Sequence, residues 1–327
     1  MKKIAVIMGG YSKESLISIQ SGKVVYENLC RKEFDPYRIY LLKEKWFLKN
    51  DENKEYSINK QDFTIFGGMK GLKFDCIFNA IHGTPGEDGI LQAYFELLKI
   101  PYTGCNFHHA NVTFNKKYCL TLLKHFGINT AESFFLNKNQ VFCTKKIIDK
   151  VGLPCFVKPN RSGSSLGISK VYKEKDLDHA IQKAFLEDEE IIVESYLEGR
   201  EVSVGVFSFK NEVIVLPITE IISQNDFFDF ESKYSGKSKE ITPAKFDPNI
   251  ENKIRKIAMK VYKFLNLSGI SRSEYIIVNE EPFFLEINTI PGFSEESIFP
   301  KQLKAIGMSL SEVFKDSIFT SIDKMKK

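Results

Sequence analysis

One loop combines a fixed cation with small hydrogen-bonding residues. Lys158 ends an apolar stretch and is followed by PNRSGSSLG, residues 159–167. A lysine at the end of a strand, followed by a loop rich in glycine and serine, offers one positive charge and several backbone and hydroxyl donors, which suits a polyphosphate. The loop matches neither the GxxxxGK[ST] nor the GxGxxG pattern. A solvated hairpin turn is the alternative, because glycine and serine are common in turns.

Two predicted strands carry side chains that could bind a hard cation. Alternation places Glu286 and Asn288 on one strand face, about 7 Å apart, and Arg272 and Glu274 share a face in the same way. A short turn at 280–281 predicts a hairpin that brings the two glutamates together. Like charges held close are costly unless a cation lies between them. The pattern therefore favours a magnesium site over a half-buried strand with its polar face in water.

A glycine-dense loop at residues 79–89, NAIHGTPGEDG, offers the side chains of His82, Glu87 and Asp88. A helix is predicted from about Ile90, and a helix N-terminus attracts anions. The alternative is structural, because a lone histidine in a loop commonly supports the fold and the two carboxylates could simply complement the helix dipole.

The segment 227–236, FFDFESKYSG, places three phenylalanines in a polar loop. Such side chains need a surface to pack against. The segment is therefore either a lid that closes over a site and excludes water, or an anchor onto a neighbouring element.

The elements that hold these loops fall into two parts. In the first part, strands and helices alternate, which is typical of a parallel α/β domain. Its predicted elements are strands at 4–8, 37–42, 76–80 and 100–102, a helix ending at Leu29 and a helix over 91–98. Residues 49–72 are polar and contain several glycines, so they predict a crossover with loops rather than core elements.

Beyond residue 104 the pattern is that of an α+β protein. Helices are predicted over 116–126, 177–185 and 250–265 and from Leu310 onward. Strands are predicted at 133–136, up to Lys158, after the glycine-serine loop, and at 191–194, 201–209, 213–218, 275–278 and 282–287.

Composition excludes several classes of protein. The 327 residues are 43% hydrophobic and 27% charged, which is typical of a folded globular chain. A net charge of +4, with acids interleaved among the lysines, argues against a nucleic-acid or membrane partner. The six cysteines lack zinc-ligand spacing, and no apolar run is long enough for a membrane span or a signal peptide. We therefore expect a cytoplasmic protein.

Taken in order, these segments resemble the D-alanine–D-alanine ligases of the ATP-grasp superfamily. The resemblance spans nearly the whole chain with the order and spacing of the family. The matching segments are residues 8–14, His82-Gly83 with 86–89, 100–104, 158–167, 194–201, Lys233-Tyr234, Arg272 with Glu274, and 286–292.

The resemblance implies a fold of three parts. These are an N-terminal parallel α/β domain at 1–104, a small central α+β domain at 105–193 and a C-terminal α+β domain at 194–327. ATP would be gripped between the last two, together with two Mg²⁺ ions for which Mn²⁺ could substitute. A homodimer with D-alanine and ATP as its small-molecule partners is also implied.

The family motifs assign roles to residues of this chain. The implied nucleotide-binding residues are Lys116, Lys158, Ser165, Glu194, Leu197, Glu201, Phe227 and Lys233. The implied metal ligands are Glu274, Glu286 and Asn288. The implied substrate-binding residues are Glu14, His82, Arg272, Gly292, Ser297 and Ile298. The implied catalytic residues are Glu14, Ser164, Tyr234, Arg272 and Gly292.

The implied reaction forms D-alanyl-D-alanine for peptidoglycan precursors. The carboxylate of the first D-alanine attacks the γ-phosphate of ATP and gives an acyl phosphate. The amine of the second D-alanine then adds to the carbonyl carbon, and Arg272 and the amide of Gly292 stabilise the oxyanion. Phosphate leaves and the dipeptide remains.

Three positions depart from the usual family pattern, and two alternatives stay open. Asn115 and Glu274 stand where the family usually has Asp, and Ser195 where it often has Lys. D-Serine as the second substrate is one alternative, which pocket residues near Ile298 could decide. Tyr234 favours an amine nucleophile, which both D-alanine and D-serine supply, over the hydroxyl of D-lactate. A non-catalytic nucleotide-binding protein is the other, and it predicts the loss of at least one motif residue. Lys158, Arg272, Glu286 and Asn288 are all present.

Overall fold

The apolar N-terminal strand lies inside the first sheet, one strand from its edge, in the computed structural model, which describes residues 1–67, 71–164, 166–223 and 238–325. Strand β1 (Lys2–Gly10) pairs in parallel with β2 (Phe34–Leu42) and with β6 (Cys76–Asn79). Residues 4–8 are fully buried, as expected of a strand covered on both faces. Tyr102 adds a parallel bridge to Ile77. The predicted parallel pairing is confirmed for these strands.

The segment that was predicted to be a crossover with loops is instead part of the sheet. Strands β3 (Trp46–Lys49), β4 (Glu55–Asn59) and β5 (Thr64–Ile65) extend it beyond β2 in antiparallel order. The prediction for 49–72 was wrong because these short strands need only a few apolar residues to pack against the rest of the core. Phe63, beside β5, packs edge-on against Phe95 of helix α2 (Ile90–Leu97), with ring centroids 5.1 Å apart.

The second sheet carries the glycine-serine loop. Its antiparallel order is β7, β10, β8, β9, with bounds Ser133–Asn137, Glu190–Ser195, Cys155–Pro159 and Ser169–Val171. Lys158 lies on β8 and Glu194 on the neighbouring β10. Helix α5 (Thr144–Val151) and helix α6 (Leu177–Ala184) bury their apolar faces with this sheet in one core. A short 3-10 helix spans Glu174–Asp176.

The third sheet carries the paired acidic strands. Its order is β14, β13, β11, β15, β16, with β12 also pairing with β11. The bounds are β11 Arg200–Phe209, β12 Glu212–Val215, β13 Thr219–Ser223, β14 Ser238–Ile241, β15 Ile270–Val278 and β16 Glu281–Asn288. The predicted hairpin is confirmed, since Glu274 lies opposite Glu286 and Arg272 opposite Asn288. Helices α7 (Pro248–Phe264) and α8 (Ile298–Ala305) pack against this sheet.

Four further helices are described. They are α1 Ser15–Asn28, α3 Phe107–Phe114, α4 Lys116–His125 and α9 Leu310–Met325. Asn115 ends α3 and caps α4, because its side chain accepts a hydrogen bond from the amide of Tyr118. Asparagine is among the best N-cap residues, which accounts for its place before Lys116. Phe314 of α9 packs on Phe78 of β6, with ring centroids 4.9 Å apart.

Among the helices described, none combines the length and apolar character that a membrane crossing requires.

Candidate active site

Two cavities meet at a shared wall formed by Lys116, Ser162, Leu285 and Glu286. Their volumes are about 460 Å³ and about 420 Å³. Of the residues singled out in the sequence, the first cavity is lined by Glu14, His82, Lys116, Ser164, Arg272, Glu286, Asn288, Gly292, Ser297 and Ile298. The second is lined by Lys116, Lys158, Glu194, Leu197, Glu201, Glu274 and Glu286. Ser165, Phe227, Lys233 and Tyr234, with the whole segment 227–236, lie outside the described residues.

At one end of the first cavity, the loop after β1 meets the loop after β8. Ser164 donates a hydrogen bond of 2.5 Å from its hydroxyl to Oε1 of Glu14. The backbone of Ser164 has φ of 49°, in the left-handed region that non-glycine residues rarely adopt. A Cβ at Gly163 would lie 2.7 Å from Oε2 of Glu14, so a larger residue there would displace the carboxylate of Glu14. The structure thus brings together two loops that are 150 residues apart.

His82 lines the first cavity, is buried, and has both ring nitrogens bonded within the protein. Its Nε2 lies 2.9 Å from the hydroxyl of Ser21, and its Nδ1 lies 2.8 Å from the carbonyl of Ile290. Because a carbonyl only accepts, Nδ1 carries the proton and Nε2 accepts from Ser21. Burial lowers the pKa of His82, which keeps the ring neutral. Ser21 in turn accepts a hydrogen bond from the amide of Phe293.

Glu87, like His82, bonds the backbone of Ile290. Its two carboxylate oxygens accept hydrogen bonds from the amides of Gly83, at 2.7 Å, and Ile290, at 3.2 Å. Burial, together with the nearby charge of Glu14, raises the pKa of Glu87 to about 8. We call Ser21, His82 and Glu87 the loop clasp, because all three bond the backbone of 290–293. The clasp fixes Gly292 between its attachment points.

The centre of the site consists of three ion pairs whose members are buried or partly buried. Arg272 contacts Glu274, Lys158 contacts Glu194, and Nζ of Lys116 lies 3.1 Å from Glu286. We call these six residues the charged centre. Burial by itself lowers the pKa of a lysine or arginine, but the adjacent glutamates outweigh it, so the pKa values of Lys116 and Arg272 are raised. Both cations therefore remain charged.

Additional hydrogen bonds orient two of these cations. Nζ of Lys116 donates to the carbonyl of Ser162, at 2.8 Å, and Nη1 of Arg272 donates to the hydroxyl of Ser203, at 3.0 Å. Lys116 is thus held at the wall between the cavities. Arg272 is held over the face of the third sheet.

The predicted metal ligands suit a magnesium ion that also binds phosphate. Glu274 and Glu286 are cross-strand neighbours, and Asn288 follows on the same strand face. Mg²⁺ is usually held by one or two carboxylates, with substrate phosphates and water completing its shell. Within the described ranges, no group of three or more His, Cys, Asp or Glu side chains is arranged to hold a metal. The fit therefore depends on the amide of Asn288 and on ligands from a bound nucleotide.

Helix α8 brings Ser297 and Ile298 to the first cavity. Ser297 is the residue before the helix, and its hydroxyl lies 2.8 Å from that of Ser294. A Cβ at Gly292 would lie 2.6 Å from the hydroxyl of Ser297. A side chain at position 292 would therefore displace the hydroxyl of Ser297, which lines the same cavity.

Several residues of the site were missed in the sequence. Nζ of Lys301 contacts both Glu240, which lines the first cavity, and Glu296, each at 3.2 Å. Ser21 of the loop clasp was also not singled out. Glu240 lies 61 positions from Lys301, and His82 and Phe293 lie 61 and 272 positions from Ser21, so local spacing could not have indicated these contacts.

Comparison with known proteins gives a consistent result along the chain. The family models described as D-ala D-ala ligase N-terminus and C-terminus match residues 3–105 and 122–318. The D-alanine–D-alanine ligase of Flavobacterium johnsoniae is 52% identical over 98% of this chain and 100% of its own length.

Solved structures of such ligases share the fold. The VanG D-Ala:D-Ser ligase from Enterococcus faecalis is 35% identical with a TM-score of 0.87, covering 97% of this chain and 98% of that one. A D-alanine–D-alanine ligase from Bacillus anthracis, solved in complex with ATP, is 28% identical with a TM-score of 0.81, covering 100% and 99%.

Proposed function

The chain belongs to the D-alanine–D-alanine ligase family, and on that premise we propose that its two cavities join two molecules of D-alanine, using ATP. The observation that carries this proposal is the shared wall between the cavities. A nucleotide in the second cavity would present its terminal phosphate at Lys116 and Glu286, where an amino acid in the first cavity can reach it. The enzyme is a ligase with the ATP-grasp fold.

The second cavity suits the nucleotide. Lys158 and Lys116 supply two cations for its phosphates, and Glu194, Leu197 and Glu201 line the part left for adenine and ribose. Both lysines are paired with glutamates in the structure, so a bound phosphate would interact with cations that are already held in place.

The residues that would hold magnesium are Glu274, Glu286 and Asn288. When bound, Mg²⁺ would neutralise phosphate oxygens and so lower the barrier between two anions. A family member solved in complex with ATP supports the use of ATP. The neighbouring side chains of Glu274, Glu286 and Asn288 support the binding of magnesium.

The first amino acid would bind with its ammonium group at Glu14. The carboxylate of Glu14 is oriented by Ser164 and stands at the end of the first cavity. In the first step an oxygen of the D-alanine carboxylate forms a bond to the γ-phosphorus, and the bond to ADP breaks. Lys116, at the wall, would hold the transferred group in line.

The second step forms the peptide bond. The amine of the second D-alanine attacks the carbonyl carbon of D-alanyl phosphate, a proton leaves the amine, and phosphate departs. Arg272 and the amide of Gly292 would stabilise the oxyanion of the tetrahedral intermediate. Ser297 and Ile298 would contact the second amino acid. The loop clasp has no reacting role here and holds the backbone that carries Gly292.

Further roles remain proposals that rest on the family resemblance. Ser165 and Lys233 would cover the phosphates, Phe227 would lie near adenine, and Tyr234 would complete the hydrogen-bonded set at Glu14. We also propose a cytoplasmic homodimer and the division at 1–104, 105–193 and 194–327.

The test is phosphate release from ATP and magnesium with D-alanine, L-alanine, D-lactate and D-serine compared in parallel. We expect turnover with D-alanine alone and a D-alanyl-D-alanine product by mass spectrometry. No turnover above the ATP-only background would overturn the proposal. A mixed D-alanyl-D-serine product formed in preference to D-alanyl-D-alanine would overturn the choice of second substrate.

A further inference from the structure

Gln302 is a fully buried side chain of helix α8 that the reaction scheme does not use. Its Oε1 accepts a hydrogen bond from the amide of Gly205, at 3.0 Å. Its Nε2 donates to the carbonyl of Ser203, at 2.9 Å, and to the hydroxyl of Thr219, at 3.1 Å. Both ends of the amide are therefore bonded, as a buried amide requires.

These bonds fill a gap in the third sheet. Strand β11 pairs with β13 up to Ser203 and with β12 from Val206, and no strand in the described part of the chain pairs with this edge between them. The carbonyl of residue 203 and the amide of residue 205 both point outward from that edge, where a neighbouring strand would lie. The amide of Gln302 bonds both, as a residue of a neighbouring strand would.

Gly205 makes room for this arrangement. A Cβ at that position would lie 2.6 Å from Oε1 of Gln302 and 3.1 Å from the ring of Phe299. Gly205 is also the cross-strand neighbour of Arg272. Because opposite residues of an antiparallel pair share a face, the amide of Gln302 packs beside the position from which Arg272 extends.

The same bonds fix the helix that borders the first cavity. Gln302 lies one turn after Ile298, on the same face of α8, and Ser297 immediately precedes the helix. Ser203 links the two sides of the site, because its hydroxyl accepts from Arg272 while its carbonyl accepts from Gln302. The distance between α8 and Arg272 is therefore set through a single residue of β11.

We propose that Gln302 is a positioning residue for the second amino acid: it sets Ser297 and Ile298 relative to Arg272, so that the incoming amine is aligned with the carbonyl that Arg272 polarises. This inference rests on the proposed function. It concerns only the second amino acid, because neither Glu14 nor the second cavity contacts α8 through these bonds.

The test is Gln302→Met, which keeps the length and bulk of the side chain and removes all three hydrogen bonds. Steady-state kinetics would resolve the KM values for ATP and for the first and second D-alanine. We expect the KM for the second D-alanine to rise by about tenfold or more, with the other two KM values within about twofold of wild type. Lys304→Gln, on the exposed side of the same helix, is the matched control and should behave as wild type.

A double-mutant cycle gives a second measure of the same contact. Gly205→Ala alone should raise the KM for the second D-alanine, because its methyl group displaces the amide of Gln302. In a Gln302→Ala background the same change should have a smaller effect. Additive effects would contradict the coupling between the two residues.

A purely structural role would give a different pattern. Gln302→Met would then lower the melting temperature and reduce the active fraction, with all three KM values unchanged, and this result would overturn the proposal. If Gln302→Met fails to fold, Thr219→Val removes one of the three bonds with little change of shape, and the same selective rise should follow, only smaller. Wild-type enzyme that fails to turn over D-alanine would overturn the proposed function and this inference with it.

Discussion

The charged centre and the loop clasp both contribute residues to the lining of the first cavity, and they are built differently. In the charged centre, each cation pairs with a carboxylate on a side chain, as Lys116 does with Glu286. In the loop clasp, His82 and Glu87 bond the backbone of another part of the chain. Side-chain pairs can exchange partners when phosphate or metal binds, whereas side chains bonded to backbone hold one geometry. The comparison indicates that one region handles charge and the other sets position.

Arg272→Ala should produce the largest effect, because it removes a group whose partner develops only in the transition state. We expect kcat to fall on the order of 10² to 10³-fold, as for other oxyanion donors, with ATP affinity changed by no more than about threefold. Turnover and equilibrium binding of ATP would be measured on the same preparation. Arg272→Lys is the control that keeps the charge but not the planar donor group.

Equal losses in kcat and in ATP affinity for Arg272→Ala would contradict this role. They would show that the charged centre acts as one binding unit and would remove the distinction between its parts.

Glu87→Gln tests the clasp through the pH dependence of stability. The pKa of Glu87 is about 8 in the folded protein against an ordinary value of 4.5, so the unfolded state releases this proton first as the pH rises. The wild type should lose stability between about pH 4.5 and pH 8, by an amount on the order of a few kcal/mol. Gln cannot ionise, so the variant should lose less over that range. Urea unfolding at pH 6 and pH 8.5 would measure the difference.

His82 provides an internal control for that measurement. Its pKa is lowered by burial, so the unfolded state takes up a proton first as the pH falls through 6.5 and stability declines on the acid side. This acid limb should remain in Glu87→Gln. Identical pH profiles for wild type and variant would show that Glu87 is ionised in the folded protein throughout.

Lys13→Ala should have the smallest effect. Nζ of Lys13 lies 2.7 Å from Glu187, and the lysine side chain is 64% exposed. Exposed pairs contribute between zero and about 1 kcal/mol, so we expect a change in unfolding free energy within that range and less at high salt. Glu187→Gln is the matched control. A loss of unfolding free energy well above 1 kcal/mol would mean that this exposed pair stabilises the fold as strongly as the ion pairs of the charged centre do.

The long elements of the fold could be predicted from the sequence, and some short ones could not. Strand β1 was predicted because five consecutive apolar residues end at a glycine pair, and the β15–β16 hairpin because two polar-faced strands flank a short turn. Helix α8 was not predicted, and it contains Pro300. A proline is tolerated there because it lies in the first turn, where the amide has no helical partner.

The residues that carry the chemistry of the site could be predicted from the sequence, but the residues that hold them in place could not. Lys158, Glu274 and Glu286 belong to motifs whose spacing indicates phosphate and metal binding. Ser21 and Gln302 lie in ordinary helical sequence, and their importance comes from backbone groups that only the folded chain brings near them. Local spacing can indicate which residues react, but not which residues hold them.

The loop clasp also bears on how the chain folds. Its bonds join residues 208, 203 and 272 positions apart. Contacts of such separation form late, because the entropy of closing a long loop must be overcome first. A chain emerging from the ribosome therefore exposes the clasp side chains long before residues 290–293 arrive. Catalytic competence is a late event in the life of each molecule, reached only when its two ends have met.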